Sequence, residues 1–122
     1  MKKIVIIDDA EEITSSLEDL LTAFGYKTLI ADNATDGLNM IRKHQPDLII
    51  SDIMMPVLDG FFVLQEIKSD KKISDIPIII ITAKTEKETF SKSMESGANH
   101  FIEKPFSVKE LLKIVDSILK DE

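Results

Sequence analysis

The chain has 122 residues, 43% of them hydrophobic and 30% charged, which suits one compact domain spanning residues 1–122 and is too short for two ordinary ones. Cysteine is absent, which excludes a disulfide framework, a cysteine zinc site and a thiol nucleophile. The 22 acidic residues outnumber 15 basic ones for a formal charge of −7, and Arg42 is the only arginine, so no direct nucleic-acid partner is expected.

Met1-Lys2-Lys3 leads into the apolar run Ile4 to Ile7, which ends at Asp8 and Asp9 and reads as a first strand rather than a signal peptide. No apolar run approaches the roughly 20 residues of a membrane span, so the protein is expected in the cytoplasm with no membrane partner. Ile13, Leu17, Leu20, Leu21 and Phe24 mark one face of a helix over residues 10–24, and Gly25 stops it. Thr28 to Ala31 is the second strand. Asn33 caps a helix running to about His44. Leu48 to Ile50 is the third strand, and Gly60 opens a helix through Ile67. Ile78 to Ile81 follows Pro77 as the fourth strand. Thr85 with Glu88 forms a capping-box pattern for a helix that Gly97 ends. Phe101-Ile102 is a short fifth strand. Ser107 with Glu110 repeats the capping box before a helix whose apolar stripe is Val108, Leu111, Leu112, Val115, Ile118 and Leu119.

This alternation predicts an α/β fold, a doubly wound parallel (βα)5 sheet with helices on both faces. Strands 1, 3 and 4 are nearly pure Ile, Val and Leu, as expected where both faces are buried. Strands 2 and 5 carry Lys27, Thr28, His100 and Glu103 in or beside them and suit the edges. The flavodoxin-like order 2-1-3-4-5 satisfies this pattern and puts a ligand crevice beyond the ends of strands 1 and 3.

The residues just beyond each strand are chemically distinctive. Asp8 and Asp9 come after strand 1, Asp52 after strand 3, Thr82 after strand 4 and Lys104 after strand 5. In a parallel sheet these ends share one edge. Two like charges about 4 Å apart repel by about 1 kcal/mol in water and about 4 kcal/mol at an effective dielectric of about 20. Such a cluster therefore needs a protonated acid or a cation. An all-oxygen site with few protein ligands suits Mg²⁺, which commonly bridges to phosphate. With Lys104 as a second cation and Thr82 as a donor, the inferred chemistry is Mg²⁺-assisted phosphoryl transfer to an Asp side chain. Each residue alone has a plainer reading: an Asp after a strand is often only a helix cap, a Thr a turn residue and a Lys a solvated charge. Their joint occurrence in this order carries the inference. No Gly-rich phosphate loop comes after strand 1, and His44 and His100 lack an evident nucleophile or metal partner.

Four stretches, Ile4 to Asp9, Pro46 to Gly60, Ile81-Thr82-Ala83 and Gly97 to Phe106, resemble the receiver domain of two-component response regulators over nearly the whole chain. The resemblance implies that Asp52 is the phosphoacceptor and that its donor is the phosphohistidine of a sensor histidine kinase or a histidine phosphotransfer protein. It implies Mg²⁺, with Mn²⁺ as a substitute, held by Asp9, Asp52 and the backbone carbonyl of Met54, with Asp8 acting through a metal-bound water. Lys104 would pair with the phosphoryl oxygens, the Lys104–Pro105 peptide would be cis, and small Ala83 would leave room beside Thr82. The Thr82 hydroxyl would move to the phosphoryl group and Phe101 would turn inward, changing a surface of helix 4, strand 5 and helix 5 for an unknown output partner. Simple edge packing is an equal reading of Phe101. The helix beginning near Thr85 has few large apolar residues, Phe90 and Met94, and is expected to shift cheaply.

Two other readings remain at this level. A Mg²⁺-dependent phosphatase or phosphotransferase acting through Asp52 would call for a second acid two residues later, where Met54 stands. A binding module that takes no phosphate is disfavoured by the complete set of Asp8, Asp9, Asp52, Thr82 and Lys104. The expected role is a switch, not a conventional turnover enzyme.

Overall fold

A computed structural model of the chain describes residues 1–55, 57–83 and 87–120. The elements run β1 (Lys3–Ile7), α1 (Glu11–Ala23), β2 (Lys27–Ala31), α2 (Ala34–His44), β3 (Leu48–Ser51), α3 (Gly60–Ser69), β4 (Ile78–Thr82), α4 (Lys87–Glu95), β5 (His100–Glu103) and α5 (Val108–Leu119). All strand pairings are parallel, in the order β2-β1-β3-β4-β5. The edge placement of β2 and β5 agrees with their mixed composition. Among the described residues no helix is long and apolar enough to cross a membrane.

Alternation along the strands builds two cores from one sheet. Val5, Ile7, Ile49, Ile78 and Ile80 face α2 and α3, where Leu38, Ile41, Val63, Leu64 and Ile67 meet them. Ile4, Ile6, Leu48, Ile50, Ile79 and Ile81 face α1 and α5, against Leu17, Leu21, Leu111 and Val115. A strand buried on both faces needs an aliphatic side chain at every position, hence the unbroken Ile and Val runs.

The helix ends obey local chemistry. Asn33 accepts from the Asp36 N–H, Asp59 from the Phe62 N–H and Ser107 from the Glu110 N–H, each opening its helix. The cap expected at Thr85 lies outside the described residues. Two apolar positions read as helix-face residues are in fact exposed. Phe24 ends α1 as its C-cap and is 57% exposed, and Val108 is 51% exposed at the first position of α5. Both sit at a helix terminus, and periodicity alone does not say where the opposing layer ends.

Helix α4 is inverted relative to the other helices. Its Thr89 and Ser93 are buried, whereas Phe90 and Met94 are exposed. Among the described residues it contributes no side chain to either apolar cluster. By contrast α3 buries Val63, Leu64 and Ile67 completely, each contributing about 1.5–3 kcal/mol.

Val57, in the turn between β3 and α3, has a positive φ of 69° and a fully exposed side chain. Left-handed backbone costs a residue with a Cβ about 1–2 kcal/mol, and β-branching makes it worse. Val57→Gly removes that strain but loosens the unfolded chain, so a net stabilisation of about 0.5–1 kcal/mol is expected in urea denaturation. An unchanged or lower midpoint would show that other contacts compensate the strain.

Candidate functional site

The C-terminal edge of the sheet gathers the residues that come after the strands. Carboxylate oxygens of Asp8, Asp9 and Asp52 all lie within 4.8 Å of one another. Asp8 and Asp52 are buried, while Asp9 is exposed. Lys104 reaches between the buried pair, its Nζ donating to Asp8 Oδ2 at 2.8 Å and Asp52 Oδ2 at 2.9 Å.

The second oxygen of each buried acid is held by the main chain. The Ala10 N–H donates to Asp8 Oδ1 at 2.9 Å, and the Met54 N–H donates to Asp52 Oδ1 at 3.0 Å. Asp8 therefore does serve the turn into α1, but with one oxygen only. The other faces the cluster.

Thr82 is completely buried at the end of β4, and its carbonyl accepts the Lys104 N–H at 2.9 Å. Ala83 beside it is exposed. The Lys104–Pro105 peptide bond is cis. Phe101 is half-buried, its ring edge-on to Phe90 of α4 with centroids 5.5 Å apart and planes at 80°. Met54 is exposed.

The cluster thus carries three carboxylates against one ammonium. Burial pushes the Asp8 carboxyl above its ordinary 3.8; the nearby Asp52 charge adds to this, while bonds from Lys104 and the Ala10 N–H oppose it. Burial also disfavours charge on Lys104, but hydrogen bonds to Asp8 and Asp52 and their charges outweigh it, raising its pKa above 10.5. Linkage fixes the signs. For Asp8, the folded state binds its proton more tightly, so its contribution to stability falls as pH rises from 3.8 through the raised value. For Lys104, the contribution is complete below 10.5 and is lost as pH rises through the raised value. Carboxyl ¹³C titration of the metal-free protein is expected to place Asp8 above 3.8; a midpoint at or below 3.8 would contradict the burial argument.

An all-oxygen cluster with excess negative charge and one exposed member fits a hard divalent cation. Thiol chemistry has no counterpart in a chain without cysteine.

The response regulator receiver domain family matches residues 4–116. The chain belongs to that family. Receiver domains are the phospho-signalling modules of two-component systems, not conventional enzymes. The chain is 40% identical over 119 residues to the probable transcriptional regulator ycf27 of Porphyra purpurea, covering 98% of this chain and 48% of that protein. It is likewise 40% identical to the ycf27 protein of Guillardia theta, covering 46% of it. The chain therefore spans about half the length of the curated relatives it matches. Chemotaxis protein CheY4 of Vibrio cholerae superposes with a TM-score of 0.91 at 29% identity, covering 98% of this chain and 99% of that one. The signal receiver domain of a Syntrophus aciditrophicus histidine kinase superposes at 0.90 with 29% identity, covering 100% of this chain and 96% of that one.

Asp8, Asp9, Asp52 and Lys104 thus lie together at the C-terminal edge of the sheet, Thr82 ends the neighbouring β4, and Phe101 is set back against α4. Sequence reasoning did not foresee that Lys104 pairs with Asp8 across 96 positions, nor that the Ser51 hydroxyl is turned to the main chain of Asp52. No local signal reports a partner so distant. Ser51 did carry a signal: it is a polar residue ending an otherwise aliphatic strand.

Proposed function

We propose that residues 1–122 act as one cytoplasmic receiver unit that takes a phosphoryl group onto Asp52 and thereby controls an output partner. The observation carrying this reading is the convergence of Asp8, Asp9 and Asp52 around the Lys104 ammonium at one sheet edge. The donor is a phosphohistidine of a sensor histidine kinase or histidine phosphotransfer protein. An Asp52 carboxylate oxygen forms the new P–O bond as the P–N bond to the donor imidazole breaks.

Asp9, Asp52 and the Met54 carbonyl are the residues to hold Mg²⁺ or Mn²⁺, with Asp8 contributing through water. The bound cation would neutralise charge on the transferring phosphoryl oxygens. Lys104 then exchanges its Asp52 contact for a phosphoryl oxygen while keeping Asp8. The Thr82 hydroxyl donates to the phosphoryl group, and exposed Ala83 leaves that approach open. The domain assists its own phosphorylation and dephosphorylation and turns over no separate substrate.

Output runs through α4, β5 and α5. An inward turn of Phe101 breaks its edge contact with Phe90, and α4 is poorly anchored by apolar burial, so it shifts at low cost. Amide hydrogen exchange is expected to change in α4 and β5 on phosphorylation; unchanged exchange there would remove this part of the proposal.

Intact mass after incubation with acetyl phosphate, with Mg²⁺ or with EDTA, tests the central claim. One labile phosphoryl adduct that needs the metal supports it. A chain that takes no phosphoryl group from acetyl phosphate or from any of a panel of phosphohistidine donors overturns it.

A further inference from the structure

Ser51 occupies a core position that its neighbours fill with aliphatic carbon. In register it lies between Ile7 of β1 and Ile80 of β4, both completely buried, and it is itself 1% exposed. A buried hydroxyl is costly unless it is bonded. Ser51 Oγ donates to the carbonyl oxygen of Asp52 at 3.0 Å.

That carbonyl is confined from a second side by Gly60, where a Cβ would collide with it and with the Ile53 backbone. The Gly60 N–H donates to the Ile53 carbonyl at 2.9 Å, and the Met54 N–H donates to Asp52 Oδ1. One peptide plane, between Asp52 and Ile53, is therefore gripped by a hydroxyl and by a close-packed glycine. The Asp52 side chain and the Met54 main chain leave from opposite ends of this short segment.

We propose that Ser51 is a positioning residue for the cation site: its hydroxyl fixes the Asp52 carbonyl so that the Asp52 carboxylate and the Met54 carbonyl stay aligned to bind a divalent metal together. This role rests on the receiver reading of the Asp52 edge. Its register neighbours Ile7 and Ile80 are aliphatic, so the surrounding core alone does not call for a hydroxyl, which is assigned to the edge rather than to the fold.

Thr and Val have nearly the same shape and differ in the hydroxyl, so Ser51→Thr and Ser51→Val isolate it. The readout is Mn²⁺ affinity of the unphosphorylated chain by electron paramagnetic resonance, on fully folded protein, alongside thermal melting. Ser51→Val is expected to bind Mn²⁺ about tenfold more weakly, the lower end for groups that orient metal ligands, and Ser51→Thr to stay within about twofold of wild type. The melting temperature of Ser51→Val should be no lower than that of Ser51→Thr. Ser51→Ala supplies the same comparison should the valine variant not fold. Equal Mn²⁺ affinity in the threonine and hydroxyl-free variants, with wild-type binding intact, overturns the role of Ser51 alone. Absence of Mn²⁺ binding by wild type overturns the receiver chemistry and this inference together.

Discussion

In the Asp52→Asn variant, incubation with Mg²⁺ and acetyl phosphate is expected to leave the intact mass unchanged, a fall in adduct formation of at least about 10³-fold. Asparagine keeps the shape of the side chain, and its Oδ1 can still accept the Met54 N–H. It loses the anionic oxygen that would form the proposed acyl phosphate, and its amide faces the Lys104 ammonium, donor against donor. The fold should survive, because Lys104 keeps its bond to Asp8 and the cores on both sheet faces are untouched. Loss of the adduct with a melting temperature close to wild type separates chemistry from unfolding. An adduct on Asp52→Asn as abundant as on wild type would move the acceptor to another residue.

Lys104→Met is expected to destabilise the metal-free protein by about 2–3 kcal/mol near neutral pH, less than the roughly 3–5 kcal/mol usual when one partner of a buried pair is removed and the other charge is left uncompensated. The side chains of Asp8 and Asp52 are only 4% and 7% exposed, and Lys104 is the ammonium that pairs with both. The cost here is smaller, since burial already raises the Asp8 carboxyl above its ordinary value and so makes protonation an easier escape from the uncompensated charge. That escape fixes the sign of the pH dependence. With Lys104 gone the Asp8 carboxyl rises further, so the variant gains stability relative to wild type as pH falls. Mg²⁺ should narrow the deficit as well, by returning positive charge to the acids. Urea denaturation at neutral and mildly acidic pH, with and without Mg²⁺, measures all three effects. A deficit indifferent to both pH and metal would mean that the lysine stem matters through packing rather than charge.

The two variants bear on different parts of one device. Asp52→Asn removes the proposed acceptor and leaves two carboxylates, Asp8 and Asp9, against the Lys104 ammonium. Lys104→Met keeps the acceptor and leaves the carboxylates in mutual repulsion. A receiver at rest is thus held by the same ammonium that the incoming phosphoryl group would claim.

Most of the architecture was legible in the sequence because hydrophobic period and capping are local. The aliphatic runs at Ile4–Ile7 and Ile78–Ile81, the Asn33 and Ser107 caps and the mixed composition of β2 and β5 sufficed for the element order and the edge strands. A parallel sheet then obliges strand ends to share an edge, so the gathering of Asp8, Asp9, Asp52, Thr82 and Lys104 was foreseeable from order alone. Tertiary structure decided what local rules cannot express. It determined which oxygens Lys104 engages, and it buried Asp8 while leaving Asp9 in solvent. It turned Thr89 and Ser93 of α4 inward and Phe90 outward, against the usual hydrophobic preference. It set the Ser51 hydroxyl against the Asp52 carbonyl. These outcomes depend on the packing of segments far apart in the chain, where burial changes the cost of a charge or hydroxyl, and neither spacing nor propensity encodes that cost.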